Sequence, residues 1–175
     1  MQASTDKDLW VSWQEYERAI EALALKIHQS GWHFDLILCL ARGGLRPGDI
    51  LSRIFNLPLA ILSTSSYREE AGRKQGELDI ARHISISKGK IAGNVLLIDD
   101  LVDSGVTLQQ VHRRLNEQFP DVNDIKTAVI WYKACSIFVP DFYLSYLQSN
   151  PWIHQPFEVY DSIDPDQLED RLNQS

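Results

Sequence analysis

Cysteine is scarce in this chain. Cys39 and Cys135 are the only two, far apart and inside apolar runs. That excludes a disulfide framework and a cysteine-based zinc spacing, and it implies a reducing, cytoplasmic setting. Basic charge is also short. The chain has 17 Lys and Arg against 24 Asp and Glu, a net charge of −7. A protein that coats DNA or RNA carries a basic balance or stripe, so nucleic acid is not an expected partner. A local positive pocket for a phosphorylated small molecule remains open. No apolar run approaches the about 18 residues of a membrane helix, and Met1 to Asp8 lacks a charged-then-apolar leader. Neither a membrane span nor secretion is expected. The five histidines show no metal-ligand spacing. The Walker A and G-x-G-x-x-G patterns are missing, which removes the commonest ATPase and dinucleotide readings. There is no internal repeat and no low-complexity segment.

What is present suits one globular domain over residues 1–175, with 44% apolar residues to build its core. Ser12 and Glu15 form a capping box, and Val11 and Tyr16 are placed as a hydrophobic staple. Trp13, Tyr16, Ile20, Leu23 and Ile27 then recur at helical spacing, predicting an amphipathic helix that ends near Gly31. Phe34 to Leu40 reads as a strand buried on both faces. Pro47 opens a second helix running to about Phe55, and Leu59 to Ser63 is another strand. Thr64 to Ser87, rich in Arg, Lys, Glu and Gly, reads as a long mobile excursion with short strands at its base. Val95 to Ile98 is the most strand-like run. A helix follows with Leu108, Val111, Leu115 and Phe119 on its buried face. Further strands are predicted at Lys126–Tyr132 and Phe142–Leu147, and a last helix from Pro165 with Asp164 as N-cap. Trp10, Trp13 and Trp131 read as packing residues. Alternating strands and helices predict an α/β fold with a central parallel sheet flanked by helices. Ligands of such sheets bind beyond the carboxyl ends of the strands, here just after Leu40, Ser63, Ile98 and Tyr132.

The segment after Ile98 carries the chemistry. A strand runs into Asp99 and Asp100, then a turn with Asp103, Ser104, Gly105, Val106 and Thr107, then a helix. The unpaired N–H groups of that turn and helix start, with the Ser104 and Thr107 hydroxyls, suit a phosphate monoester. Asp99 and Asp100 would repel a phosphate, so they are matched to hydroxyls, a metal ion, or both. One phosphate beside neighbouring hydroxyls describes a ribose 5-phosphate.

Asp99 to Thr107 resembles the phosphoribosyl pyrophosphate (PRPP) signature of the type I phosphoribosyltransferases. Further segments resemble the bacterial xanthine-guanine (hypoxanthine) members of that family, in the same order along the chain. Ala41-Arg42-Gly43-Gly44-Leu45, with Pro47 and Gly48, is similar to their pyrophosphate loop. Ser65-Ser66-Tyr67 resembles the start of their catalytic loop. Lys133 follows a strand where those enzymes hold a purine-contacting lysine. Trp152-Ile153-His154-Gln155-Pro156-Phe157-Glu158 is similar to their base-binding segment. The chain departs from the pattern with Phe157 where Trp is frequent, Val106 where Gly is common, and a longer excursion at about 64–87.

The resemblance implies the type I fold with a small base-binding hood at about 133–160 and a mobile catalytic loop at about 64–87. It implies transfer of the 5-phosphoribosyl group from PRPP to a 6-oxopurine, with Mg²⁺ as cofactor. Asp99 and Asp100 would serve the ribose and the metal, and Asp103 to Thr107 the 5′-phosphate. Arg42, Gly43 and Gly44 would hold pyrophosphate, and Lys133, Trp152 and Ile153 the base. Asp103 would exchange a proton with the purine near N7. His154 and Phe157 would be supporting residues, and Arg68, Arg73 and Lys74 candidates to add charge to the lid. A homodimer or homotetramer is the family expectation. A PRPP- or nucleotide-binding regulator on the same fold, or an enzyme for another base, is the alternative.

Overall fold

Two apolar runs dictate the centre of the molecule. Leu36 to Leu40 and Val95 to Ile98 are all buried, as strands covered on both faces must be. The structure is a computed structural model and describes residues 8–66, 78–81 and 83–173. In chain order its elements are β1 (Asp8–Trp10), α1 (Trp13–Gln29), β2 (Leu36–Ala41), α2 (Leu45–Phe55), β3 (Leu59–Ser66), β4 (Leu78–Ile80), β5 (Ser85–Ile86), β6 (Gly93–Ile98), β7 (Leu101–Val102), α3 (Val106–Gln118), β8 (Val122–Lys133), β9 (Phe142–Leu147), β10 (Trp152–His154) and α4 (Leu168–Asn173). Two 3₁₀ turns, Glu158–Ser162 and Pro165–Gln167, precede α4.

Strands β3, β2, β6, β8 and β9 lie side by side in that order, all parallel. β7 pairs with β8 beyond the end of β6. β4 and β5 join β3 antiparallel, at the base of the excursion. Alternation along the strands splits the core in two. Ile37, Cys39, Leu96, Ile98 and Ile130 pack with Tyr16, Ile20, Leu23 and Ile27 of α1 and Leu51 of α2. Leu36, Leu38, Leu40, Val95, Leu97 and Val129 pack with Leu108, Val111 and Leu115 of α3. The result is the α/β architecture expected, a mainly parallel sheet between helical layers. All parallel strands present their carboxyl ends on one side, where the loops after β2, β6 and β8 meet.

Several local readings need correction. α2 begins at Leu45, with Gly44 as N-cap. Pro47 therefore falls in the first turn, where a missing N–H costs no helix bond. The strand expected from Phe34 starts at Leu36, and that expected at Lys126–Tyr132 runs from Val122 to Lys133. The Asp164 capping box forms with Gln167, yet Pro165 opens a 3₁₀ turn and the α-helix starts at Leu168. Of the three tryptophans read as packing residues, Trp131 is buried. Trp10 is 71% exposed and Trp13 43% exposed. Trp10 instead stacks on His154, with ring centroids 3.7 Å apart. Cys135 is exposed rather than part of an apolar core, whereas Cys39 is buried.

Gly48 lets α2 lie against the sheet. A Cβ there would sit 2.7 Å from the Cys39 Cβ. Gly48→Ala is therefore expected to destabilise the fold by about 1–3 kcal/mol through overpacking, read as a lower urea midpoint at unchanged slope.

Candidate active site

The acidic pair sits where the central ladder is interrupted. β6 ends at Ile98 opposite Ala128, and β7 resumes at Leu101 opposite Trp131. Between them the Asp99 N–H donates to the Ala128 carbonyl, and the Asp100 carbonyl accepts from both Ile130 and Trp131. This bend lets two consecutive side chains serve one end of the sheet, which a regular strand would forbid. The Asp100 N–H in turn donates to the Asp99 carboxylate at 2.9 Å.

The loop after β2 closes over both acids. The Ala41–Arg42 peptide is cis. A Cβ on Gly43 would collide with the Asp100 carboxylate, and one on Gly44 would lie 2.5 Å from the Ile98 carbonyl oxygen. Glycine at both positions is thus a packing requirement, and it leaves the loop backbone accessible to a bound anion. Arg42 reaches across to Asp161 at 3.5 Å, an exposed pair that contributes little to stability.

Burial pushes the Asp99 carboxyl well above the usual carboxylate range, and the charge of Asp100 pushes it the same way. Backbone N–H groups of Asp100 and Gly44 oppose the shift. Among the described residues no group of three or more His, Cys, Asp or Glu side chains gathers as a metal cage. Two adjacent carboxylates are nevertheless hard oxygen donors. They fit Mg²⁺, a cation that typically takes one or two carboxylates and fills its remaining positions with water and substrate phosphates.

Ser104 and Gly105 lead into α3. Gly105 is the N-cap at φ +83°, a conformation that favours glycine. A Cβ there would also strike the Ser136 hydroxyl. The loop is pinned by the Ile137 N–H, which donates to the Ser104 carbonyl at 2.9 Å. The first intrahelical bond links Gln109 N–H to the Gly105 carbonyl. The N–H groups of Val106, Thr107 and Leu108 therefore lie ahead of the helical ladder, at the positive end of a 13-residue helix.

Asp103 and Lys133 come together. The Lys133 ammonium lies 3.5 Å from the Asp103 carboxylate, with the lysine side chain 6% and the aspartate 59% exposed. Cys135 Sγ lies 3.7 Å from the same carboxylate.

The Trp152 segment forms a separate parallel ribbon. Asp8, Leu9 and Trp10 pair with Trp152, Ile153 and His154. Trp152 is about half exposed, while Ile153 is buried in the core, so the Ile153 side chain offers no surface to a ligand. The His154 carbonyl is already taken by the Val11 N–H, and its ring bonds Asp8 at 2.8 Å. Ser65 and Ser66 continue β3. Their side chains, and Tyr67, Arg68, Arg73 and Lys74, lie outside the described residues.

Two residues of this site were not singled out from the sequence. Gln155 donates from its side-chain amide to Asp100. Tyr16, read as a helix-face and hydrophobic-staple residue, places a buried hydroxyl within the field of Asp100. Gln155 is 8% exposed, and a buried amide needs a partner, but that burial shows only in the fold.

The fold and this site together define a phosphoribosyl transferase domain. The chain matches that family over residues 11–162 and belongs to it. Among curated relatives, the xanthine-guanine phosphoribosyltransferase of Idiomarina loihiensis is 26% identical over 157 residues, 89% of this chain and 90% of that protein. A purine phosphoribosyltransferase from Pyrococcus horikoshii Ot3 superposes with a TM-score of 0.71 at 29% identity, covering 86% of this chain and 94% of the other. The Helicobacter pylori xanthine-guanine-hypoxanthine phosphoribosyltransferase shares the fold at a TM-score of 0.72 and 20% identity, covering 93% and 99%. No helix among the described residues is long and apolar enough to cross a membrane.

The Asp99 carboxyl makes a pH prediction. The folded state holds its proton more tightly than the unfolded chain does, so stability should fall as pH rises from the ordinary carboxylate range through the folded-state value. Asp99→Asn removes that penalty. In EDTA-treated protein at pH 8 it is expected to raise Tm by about 2–4 °C, and the gain should vanish near pH 4. A Tm difference independent of pH would contradict this.

Proposed function

We propose that this chain transfers the 5-phosphoribosyl group of PRPP to a 6-oxopurine (xanthine, guanine or hypoxanthine), giving the nucleoside 5′-monophosphate and pyrophosphate. The observation that carries the reading is the Asp103–Lys133 pair, 3.5 Å apart, at the mouth of a helix N-terminus suited to a phosphate. A 6-oxopurine presents O6 and N7 side by side on one edge. A lysine donor beside a carboxylate matches an O6 acceptor beside a protonated N7. Adenine sets an amino donor in place of O6, against the lysine donor. Membership of the family and its likeness to named purine enzymes support the same assignment.

In this reading the α3 N-terminus and Ser104 to Thr107 hold the 5′-phosphate. Asp99 and Asp100 accept from the ribose hydroxyls. The backbone of Gly43 and Gly44 and the Arg42 guanidinium hold pyrophosphate, with Arg42 released from Asp161. Asp99 and Asp100 would also hold a Mg²⁺ ion arriving with PRPP, whose chemistry is to offset charge collecting on the departing pyrophosphate. At C1 the bond to the pyrophosphate oxygen breaks and a bond to purine N9 forms. Asp103 takes the N7 proton, so the base gives up a proton as it gains the sugar. Trp152 stacks on the ring and, with the β1–β10 ribbon, forms the hood. Ser65, Ser66 and Tyr67 belong to the loop that shields the reacting centre from water. A homodimer or homotetramer is part of the same proposal, and light scattering reads it directly.

A base-by-base assay with PRPP and Mg²⁺ tests the function. Pyrophosphate release with at least one oxopurine and none with adenine is expected. Failure with every oxopurine from folded protein overturns the reading. Lys133→Met should lower kcat/KM for oxopurines about 100-fold or more while leaving PRPP binding by calorimetry within about threefold. Asp103→Asn should lower kcat by about 10²–10⁴ without comparable loss of PRPP affinity.

A further inference from the structure

Asp100 is gripped from the base-binding side. Its carboxylate accepts the Gln155 amide N–H, and Gln155 lies three residues beyond Trp152. On its other flank the carboxylate fills the space that a side chain at Gly43 would need. Behind it lies Tyr16, which is buried and edge-on to Phe157 at 5.6 Å between ring centroids. Phe157 in turn lies under the Arg46 guanidinium at 4.0 Å. The segment from Trp152 to Asp161 thus reaches the ribose acid through Gln155 and the pyrophosphate loop through Asp161.

Gln155 is satisfied on one end only. Its Oε1 is buried with no hydrogen-bond partner, an arrangement that detracts from stability. Charge fixes which end faces Asp100, because a flipped amide would set Oε1 against the carboxylate. A residue selected for packing alone would be apolar here. A buried amide half satisfied, with its donor on a substrate-facing carboxylate, is the pattern of a group retained for orientation.

We propose that Gln155 is a positioning residue for PRPP. It holds the Asp100 carboxylate in the rotamer that meets the ribose, and it makes the geometry of the PRPP site depend on the segment that holds the base. This rests on the reading of Asp99 and Asp100 as ribose acids.

The test compares wild type, Gln155→Met and Gln155→Glu by PRPP binding with Mg²⁺ in calorimetry, by steady-state kinetics and by melting. Met keeps the volume and removes the donor. It is expected to weaken PRPP about tenfold in Kd and KM, leave the oxopurine KM within twofold, and leave Tm unchanged or higher. Glu can donate to Asp100 only when protonated. Its PRPP affinity relative to wild type should therefore recover as pH falls from 8.5 to 6, which a merely structural role would not produce. Wild-type PRPP affinity in the Met variant overturns the proposal. So does a loss of PRPP and base affinity together with a lower Tm, or a Glu variant that follows the wild-type pH profile. If wild type binds PRPP but turns over no base, the function reading fails while the binding comparison still decides the role of Gln155. If wild type binds no PRPP, both fall.

Discussion

Two carboxylates side by side at the end of a buried strand constrain everything around them. Asp99 and Asp100 follow directly on Val95 to Ile98, which solvent does not reach, and burial together with the charge of Asp100 disfavours ionisation of Asp99. The surroundings answer with dipoles and with space. The Asp100 N–H turns onto Asp99, the next loop carries glycine where any side chain would strike Asp100, and an amide from a distant segment meets the remaining oxygen. The interruption between β6 and β7 follows from the same demand, because an unbroken ladder would send the two acids to opposite faces. The loop after β2, the Trp152 segment and the sheet are thereby referred to one small volume.

Around that volume charge is distributed unevenly. The chain as a whole is acidic, yet the site is lined by the N-terminal end of α3, whose Val106 N–H donates to the Ser104 hydroxyl, by the Arg42 guanidinium and by the Lys133 ammonium. Lys133 is almost wholly enclosed, rare for lysine unless it is paired. Its partner, Asp103, is more than half exposed. The pair therefore presents one fixed donor and one accessible carboxylate, which suits reading a base edge and moving a proton there.

Much of this was legible in the residues. The S-x-x-E box placed the start of α1, continuous apolar runs placed β2 and β6, and the Asp-Asp turn marked the carboxyl end of β6 where the candidate site lies. What stayed hidden depended on distant partners. Asp8 to Trp10 are too few to show a period, and they are a strand only because Trp152 to His154 lie alongside. Trp10 looked like core because indole usually is, but its partner is an imidazole on the surface. Gln155 carried no local pattern at all, since its meaning comes from a carboxylate 55 residues away in sequence. Pro47 misled by two residues, since α2 opens at Leu45 and proline is tolerated throughout the first turn of a helix, not at its opening residue alone.

The ribbon of β1 and β10 has a consequence for biosynthesis. Its strands come from opposite ends of the described chain, with Asp8 bonded to His154, so the ribbon closes only after residues 152–154 have left the ribosome. The sheet from β2 to β8 and the turn from Asp99 to Thr107 are complete earlier. A nascent chain therefore has the turn that carries the acidic pair in place before the Trp152 ribbon exists, and that ribbon must then close across 146 positions of sequence, at a cost in chain entropy that local contacts do not bear.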